Sequence, residues 1–161
     1  MKQMKESLSL RPVEPREREL LWALLQEELE ELLPYYPEEL DDRGQVPYPW
    51  FEAYFSEETR SALLIQQGAA IVGFALINDY SCLGEALDHS LAEFYIRPAF
   101  RRRGLGREAV AAIFRRYPGR WELKFHRENR AAEALWLRAT EPWRPLRRPW
   151  EEDVVLSFTV D

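Results

Sequence analysis

An arginine- and glycine-rich segment at residues 101–106 carries the clearest chemical signal in the sequence. It reads Arg-Arg-Arg-Gly-Leu-Gly and lies between a strand-like and a helix-like pattern. The start of a helix presents unpaired N–H groups and the positive end of the helix dipole, which together bind phosphate. Glycine lets the backbone approach an anion closely, and arginine adds charge-assisted hydrogen bonds. The segment therefore predicts a phosphate-binding loop.

The charge of the chain is unevenly distributed, and this supports the same interpretation. The chain of 161 residues has a net charge of −6. Residues 1–60 contain 15 acidic and seven basic side chains, whereas residues 97–120 contain eight arginines and one acidic residue. One dense basic stretch in an acidic protein indicates a local anion site, because nucleic-acid-binding proteins usually present a broad basic face. The glycine spacing also differs from that of a Walker loop and of a dinucleotide fingerprint.

The phosphate-binding loop needs a strand before it and a helix after it, and apolar periodicity predicts both. Residues 91–97 alternate like a strand, which places Ala92, Phe94 and Ile96 opposite Glu93, Tyr95 and Arg97. Residues 104–117 have helical spacing. Other patterns predict strands at 7–13, 60–67, 69–78, 120–126 and 154–160 and helices at 14–33, 50–55 and 129–139. This order predicts one mixed α/β (α+β) domain over residues 1–161, with helices covering a sheet.

Several motifs together resemble the GCN5-related N-acetyltransferase (GNAT) family. Ala-Glu-Phe-Tyr-Ile-Arg-Pro at 92–98 precedes the R-x-x-G-x-G pattern of residues 101–106, which resembles the family's acetyl-CoA signature. The resemblance continues through Tyr-Pro-Gly-Arg-Trp-Glu at 117–122 and Glu-Asn-Arg-Ala-Ala-Glu-Ala-Leu-Trp at 128–136, and is greatest to a bacterial subgroup, mostly of unknown substrate. It implies a mostly antiparallel sheet flanked by helices, whose central strands splay apart to hold the cofactor.

The resemblance also implies which residues contact the co-substrate, acetyl-CoA. Backbone amides of residues 103–107 are expected to hold the pyrophosphate, with Arg101 and Arg102 reaching the phosphates. The backbone of residues 95–97 is expected to pair with the pantetheine arm and to polarise the thioester carbonyl. The expected cofactor contacts are Tyr95, Ile96, Arg97, Arg101, Arg102, Arg103, Gly104, Leu105, Gly106, Arg107, Asn129 and Trp136.

Acetyl transfer to an amine requires a base, and Glu93 is the first candidate. A free alkyl amine has a pKa of about 10.4, so it arrives protonated at neutral pH. A carboxylate that takes this proton typically accelerates the reaction by about 10²–10⁴-fold. Glu93 lies on the strand where relatives often place a catalytic glutamate. The alternative is a glutamate that faces solvent or pairs with a nearby arginine.

Three further positions have two interpretations each. Asn129 resembles the family's pantetheine-contacting asparagine, but asparagine is also a favoured helix N-cap. Trp136 stands where many relatives carry a tyrosine that protonates the departing thiolate, which indole cannot do. Tyr95 or water would then supply that proton. His126 ends a predicted strand beside the expected thioester position and is a second candidate base or acid, or a polar surface residue.

Acetyl transfer to a small, cationic primary amine is the function that these features predict. The expected acceptor site has a wall formed by the acidic first 60 residues and by seven aromatic side chains within 34–55. The alternative is that the aromatic side chains pack this loop onto the domain and the acidic side chains face solvent. A non-catalytic acetyl-CoA sensor or partner subunit is the alternative, and a nucleic-acid-binding module is a weaker one. The sequence leaves open a homodimer and the structure of residues 140–150, which contain three prolines.

The remaining sequence features concern the compartment and metals. No apolar run approaches the roughly 20 residues that span a bilayer, so no membrane partner is expected. Residues 1–10 lack the apolar stretch of a secretory signal, so a cytoplasmic location is expected. The acidic charge of the rest of the chain argues against a nucleic-acid partner. The single cysteine, Cys82, agrees with a reducing compartment. The sequence has no Cys/His cluster, so no metal is expected to take part.

Overall fold

The computed structural model describes residues 6–161, and residues 1–5 lie outside the described part. This part contains seven strands: β1 (Leu8–Pro12), β2 (Ser61–Gln67), β3 (Ala70–Asn78), β4 (His89–Ile96), β5 (Gly119–His126), β6 (Leu146–Trp150) and β7 (Asp153–Val160). Its α-helices are α1 (Arg18–Leu32), α2 (Ala53–Ser56), α3 (Leu105–Arg116) and α4 (Arg130–Thr140). Short 3₁₀ turns precede α1 and follow β4 and α4.

In two regions the observed helices and strands differ from those that apolar periodicity predicts. Helix α1 begins at Arg18 rather than at residue 14, because Pro15–Glu17 forms a 3₁₀ turn first. The Glu14 N–H donates to the Glu17 carboxylate over 3.0 Å, which caps that turn. Residues 146–150, which the sequence left open, pair with β7 as the last hairpin. Pro149 is tolerated there because β6 is the edge strand of the sheet.

The strands form one sheet in the order β1-β2-β3-β4-β5-β7-β6. All neighbouring strands are antiparallel except β4 and β5, which are parallel. The β4–β5 pairing covers only the residue pairs from His89–Trp121 to Leu91–Leu123. Beyond Leu91 the two strands separate, and within residues 6–161 no strand lies beside the backbone of β4 on that side. The expectation of a mostly antiparallel sheet with splayed central strands is therefore confirmed.

Both faces of the sheet are covered by apolar side chains. Helices α3 and α4 cover one face, where Phe114 and Trp136 pack with Trp121 of β5. Helix α1 covers the other face, where Leu21 and Leu25 pack with Phe74 of β3. Full burial of each such side chain contributes about 1.5–3 kcal/mol. Strand β4 lies between the two cores, so its backbone is fixed from both sides while its splayed edge stays unpaired.

A β-bulge in β4 corrects one detail of the predicted alternation. Leu76 pairs with Glu93 and Ile77 pairs with Leu91, so Ala92 is the extra residue. Ala92 consequently packs in the α1 core and not with Phe94, which packs in the α3–α4 core. A bulge places two successive side chains on the same face, so Glu93 stays opposite Phe94 as predicted, and Ala92 lies on the same face as Glu93.

The segment between α1 and α2 is fastened to α1 by a buried glutamine. Gln26 Nε2 donates to the Val46 carbonyl over 2.8 Å, and the Val46 N–H donates to Gln26 Oε1 over 2.9 Å. Both groups are buried, so these two bonds satisfy the backbone of a segment without regular structure. None of the helices within residues 6–161 has the length and apolar character needed to cross a bilayer.

Gly73 permits the close approach of β3 to the end of β4. A Cβ atom at this position would lie 2.0 Å from the Tyr95 carbonyl oxygen, a backbone atom that cannot rotate away. We expect Gly73→Ala to lower the free energy of unfolding by about 1–3 kcal/mol, as overpacking does, measured by urea denaturation. Gly106→Ala is the control, since its Cβ meets only side-chain atoms at 3.8 Å or more. Equal stability of both variants would contradict the prediction.

Candidate functional site

A cavity of about 770 Å³ occupies the gap between the splayed strands. Residues 91–96 of β4 and 123–126 of β5 form two of its sides. The loop at 101–107 closes one end, and α1 with the segment after it closes the other. The gap exists because β4 and β5 stop pairing at Leu91, so the topology of the sheet creates the site.

The loop at one end has the geometry of an anion-binding helix start. Gly104 is the N-cap of α3 with φ of 75°, and Arg102 also has a positive φ of 64°. The first bond of the helix runs from the Glu108 N–H to the Gly104 carbonyl. The N–H groups of residues 105–107 precede that bond, so the helix itself provides them with no acceptor. Leu105 is buried under the loop and anchors it to the core.

The arginines predicted to contact the cofactor take different places. The cavity is lined by Arg101, Arg102 and Arg107. However, Arg101 Nε donates to the Ile96 carbonyl over 2.8 Å, and its Nη2 pairs with Glu31 of α1. Arg97 pairs with Glu27 instead and lies outside the lining, as does Arg103. Arg101 thus fastens the loop to β4 and α1, whereas Arg102 and Arg107 are the arginines best placed for an anion.

The unpaired edge of β4 offers fewer backbone groups than predicted. The Arg97 N–H donates to the Val72 carbonyl and therefore points toward β3, as does the backbone of Tyr95 two residues earlier. By the same alternation, the backbone groups of Phe94 and Ile96 face the gap. A pantetheine arm that pairs with this edge would contact the backbone of residues 94 and 96. Of the three residues 95–97 that were predicted to pair with it, Ile96 alone has backbone groups that face the gap.

Glu93 lies in the cavity wall beside a second carboxyl group, Glu28 of α1. Glu28 is only 5% exposed, and the two carboxyl groups are close enough to affect each other's pKa. Burial raises the pKa of Glu93 to about 8, although Lys124 and the bond from Glu28 act in the opposite direction. Burial, and next the nearby Glu93, raise the pKa of Glu28 well above its usual range.

His126 lies in the cavity wall in a fixed orientation. Its Nδ1 accepts the Glu128 backbone N–H over 3.1 Å, so in the neutral ring the hydrogen is on Nε2. The rings of Tyr35 and Tyr36 pack against the imidazole at 5.3 and 5.4 Å. This arrangement presents a hydrogen-bond donor and no free lone pair, which favours a positioning role over the role of a base.

Tyr95, Trp136 and Asn129 also line the cavity. The Tyr95 hydroxyl donates to Glu27 over 3.3 Å, and burial followed by Glu27 raises the pKa of this phenol to about 12. The Trp136 ring is edge-on to Phe94 at 5.3 Å and is buried. Asn129 caps α4 through Oδ1, which accepts the Ala132 N–H over 3.1 Å. The cap uses only the amide oxygen, so both interpretations of Asn129 remain compatible.

The predicted acceptor wall divides into lining residues and packing residues. Tyr36, Tyr48 and Trp50 line the cavity together with Glu38. In contrast, Phe51 and Tyr54 are buried in the α1 core, with Phe55 packed against them. Asp41 accepts the N–H groups of Arg43 and Gln45 and so stabilises its own turn. About half of the aromatic set therefore packs the segment onto the domain.

Two groups at this site were not predicted from the sequence. Glu28 occupies a position of α1 in register with Leu21, Leu24 and Leu25, and an acidic residue on an apolar stripe is the signal that would have identified it. The second group is the pair of Tyr36 and Asp153, in which the Tyr36 hydroxyl donates to the buried Asp153 carboxylate over 2.6 Å. These residues are 117 positions apart, so no local pattern relates them. Within residues 6–161, no group of three His, Cys, Asp or Glu side chains is placed to hold a metal ion.

The chain belongs to the GNAT acetyltransferase family. Residues 18–140 match the model described as the acetyltransferase (GNAT) family, which covers most of the chain. Curated proteins give no significant sequence match.

Solved structures share the fold at low sequence identity. An acetyltransferase from Thermus thermophilus is 22% identical with a TM-score of 0.70, over 97% of this chain and 99% of that one. A spermidine N-acetyltransferase from Vibrio cholerae, solved with CoA and spermine, is 13% identical with a TM-score of 0.63, over 93% and 92%. The ribosomal-protein-S18-alanine N-acetyltransferase from Escherichia coli is 15% identical with a TM-score of 0.58, over 96% and 95%.

Proposed function

We propose that this protein transfers an acetyl group from acetyl-CoA to the primary amine of a small cationic acceptor, with Glu93 as the general base. One observation carries this proposal. Glu93 lies in the same cavity as the anion-binding loop, beyond the point where β4 and β5 separate. A base and a phosphate-binding loop on one unpaired strand edge suit a reaction in which a phosphate-bearing donor is held along that edge.

The residues present fit acetyl-CoA at the loop end of the cavity. Free N–H groups at the start of α3, with Arg102 and Arg107 beside them, suit a pyrophosphate. A Cβ atom built on Gly104 would meet no atom within 4 Å, which is consistent with open space for a ligand there. The gap-facing backbone of residues 94 and 96, apart from the Ile96 carbonyl that accepts Arg101, suits an arm that carries amide groups. When bound, acetyl-CoA supplies the electrophilic thioester carbonyl.

In the proposed reaction, Glu93 is the one side chain that takes up and releases a proton. Glu93 takes one proton from the ammonium group, and the freed lone pair forms the C–N bond to the acetyl carbon. The C–S bond breaks and its electron pair leaves with sulfur. The second proton lost by nitrogen reaches the thiolate through water, because Trp136 lacks an acidic hydrogen and the Tyr95 hydroxyl donates to Glu27 of α1 instead. Glu93 finally releases its proton to solvent.

Charge separation within the cavity supports a cationic acceptor. The basic side chains Arg102 and Arg107 lie at the loop end, whereas Glu38 and, once it has lost its proton, Glu93 supply negative charge at the end formed by α1 and the segment after it. An amine that approaches this end meets negative charge and the faces of Tyr48 and Trp50, which attract cations. The spermidine N-acetyltransferase among the structural neighbours provides a precedent for such an acceptor.

A thiol-release screen tests the proposed function. Acetyl-CoA is supplied with polyamines, amino acids, amino sugars and peptides with free N-termini, and CoA release is followed with a thiol reagent. We expect turnover with one or more small cationic amines. Acetyl-CoA binding without thiol release from any amine would support a sensor instead. Binding of DNA or RNA that weakens steeply with salt and is not displaced by acetyl-CoA would overturn the proposal.

Ionic strength provides a separate prediction about recognition. We expect the KM for the amine to rise about two- to fivefold between low and physiological salt, because screening weakens the attraction of the acidic end. Glu38→Gln should reduce this salt dependence. Glu39→Gln changes the net charge equally from outside the cavity lining and is the matched control. A KM that salt leaves unchanged, or equal effects of both variants, would remove the acidic end from recognition.

A further inference from the structure

Glu28 is the most unusual charged group in the described part of the chain. It lies on the buried face of α1, is only 5% exposed, and lines the same cavity as Glu93. Among residues 6–161, no hydrogen-bond partner satisfies its Oε1 atom. Leaving a buried carboxyl oxygen without a partner is costly, so a group of this kind is expected to serve a ligand or a neighbouring reactive group.

The surroundings of the Glu28–Glu93 pair favour a single shared proton. The two carboxyl groups lie close enough to affect each other's pKa, and a hydrogen bond between them requires that one of them carries a hydrogen. The backbone N–H of Phe94 acts against burial and lowers the pKa of Glu28. The other charged and titratable groups that interact with the pair are Glu31 of α1, Lys124 of β5, Tyr36 and Tyr48 of the segment between α1 and α2, and Tyr54 of α2.

Lys124 does not neutralise the pair directly. Its Nζ lies 3.7 Å from Asp153 and 4.5 Å from the centroid of the Trp150 ring, so its nearest partners are on the far hairpin. Asp153 also accepts the hydroxyl of Tyr36, whose ring packs against His126 in the cavity wall. Within residues 6–161 no ion pair joins a cation to Glu28 or Glu93, so a proton held between the two carboxyl groups is what relieves their mutual repulsion.

We propose that Glu28 is a positioning residue for the base: a neutral carboxylic acid that donates its hydrogen to the Glu93 carboxylate. This inference rests on the proposed function. The donated hydrogen bond orients Glu93 toward the cavity and, above the Glu93 pKa of about 8, leaves the pair with one negative charge, which matches one ammonium group. It also lowers the basicity of Glu93 from the level that burial alone would produce, so more of the base is ionised at a given pH.

Two substitutions of Glu28 separate this role from simple packing. Glu28→Gln keeps a hydrogen donor at the same place, whereas Glu28→Leu keeps the volume, suits the apolar stripe and removes the donor. We expect both variants to fold, because an apolar residue here is compatible with the α1 core. In kcat/KM against pH, the limb assigned to Glu93 should move up by about one pH unit in Glu28→Leu. It should stay within about 0.3 units of wild type in Glu28→Gln.

An infrared measurement tests the shared proton without turnover. At a pH well above the Glu93 pKa of about 8, the C=O stretch of a carboxylic acid should be present in the wild type, and Glu28→Gln should abolish it. A band that persists in Glu28→Gln, or a pH profile unchanged in Glu28→Leu, would overturn the inference. In that case a loss of turnover in Glu93→Gln would still support the proposed function. Absence of thiol release from wild type with every amine would overturn the proposed function and the role of Glu28 in it.

Discussion

Glu93→Gln should lower kcat by about 10²–10⁴-fold at pH 8, the usual contribution of a general base. The amide has almost the same shape as the carboxylate and cannot take a proton. Because the pKa of Glu93 is raised to about 8, the wild-type rate should increase as the pH rises through that value. The loss in the variant should shrink above about pH 10, where the acceptor amine is already neutral.

Cofactor binding distinguishes a lost base from a damaged site. Isothermal titration calorimetry should give the same Kd for acetyl-CoA in wild type and Glu93→Gln, since Glu93 lies away from the phosphate loop. Glu128→Gln is the matched control, because Glu128 is exposed and its side chain is outside the cavity lining. If Glu93→Gln turns over at the wild-type rate at pH 8, another group takes the proton, and His126 would then have to change its tautomer to do so.

Gly104→Val should weaken acetyl-CoA binding by about 100-fold or more. A β-branched side chain at this position would project into open space beside the free N–H groups of α3 and block the approach of the pyrophosphate. Loss of two charge-assisted hydrogen bonds accounts for a change of that size. The φ of 75° also strains any side chain other than hydrogen, so the effect of the strain must be measured separately.

Gly84→Val provides that separate measurement. Gly84 has φ of 72°, its added Cβ would also meet no atom within 4 Å, and it lies outside the cavity lining. Both variants should lose a similar amount of stability in thermal denaturation. Only Gly104→Val should lose affinity for acetyl-CoA in calorimetry. An unchanged Kd in Gly104→Val would show that residues 101–107 do not hold the pyrophosphate.

The sequence predicted most of the fold because the decisive signals are local. Alternation of side chains predicted β4, and 3.6-residue periodicity predicted α3 and α4. The predicted ends of these three elements lie within one or two residues of the observed ends. The phosphate-binding loop could equally be predicted from the sequence, because a glycine at a positive φ and the unpaired N–H groups of a helix start depend on neighbours in the chain. The edge hairpin β6–β7 was less readable, because an edge strand tolerates prolines that otherwise argue against a strand.

The sequence by itself determined the family, the anion-binding loop and Glu93 as the candidate base. Only the tertiary structure decided the state of that base, because Glu28 approaches it from α1, 65 positions earlier in the chain. It also decided which arginines remain available for an anion, since Glu27 and Glu31 engage Arg97 and Arg101. Burial and pairing between distant elements set the charge of a side chain, and those quantities are properties of the packed molecule rather than of any local pattern.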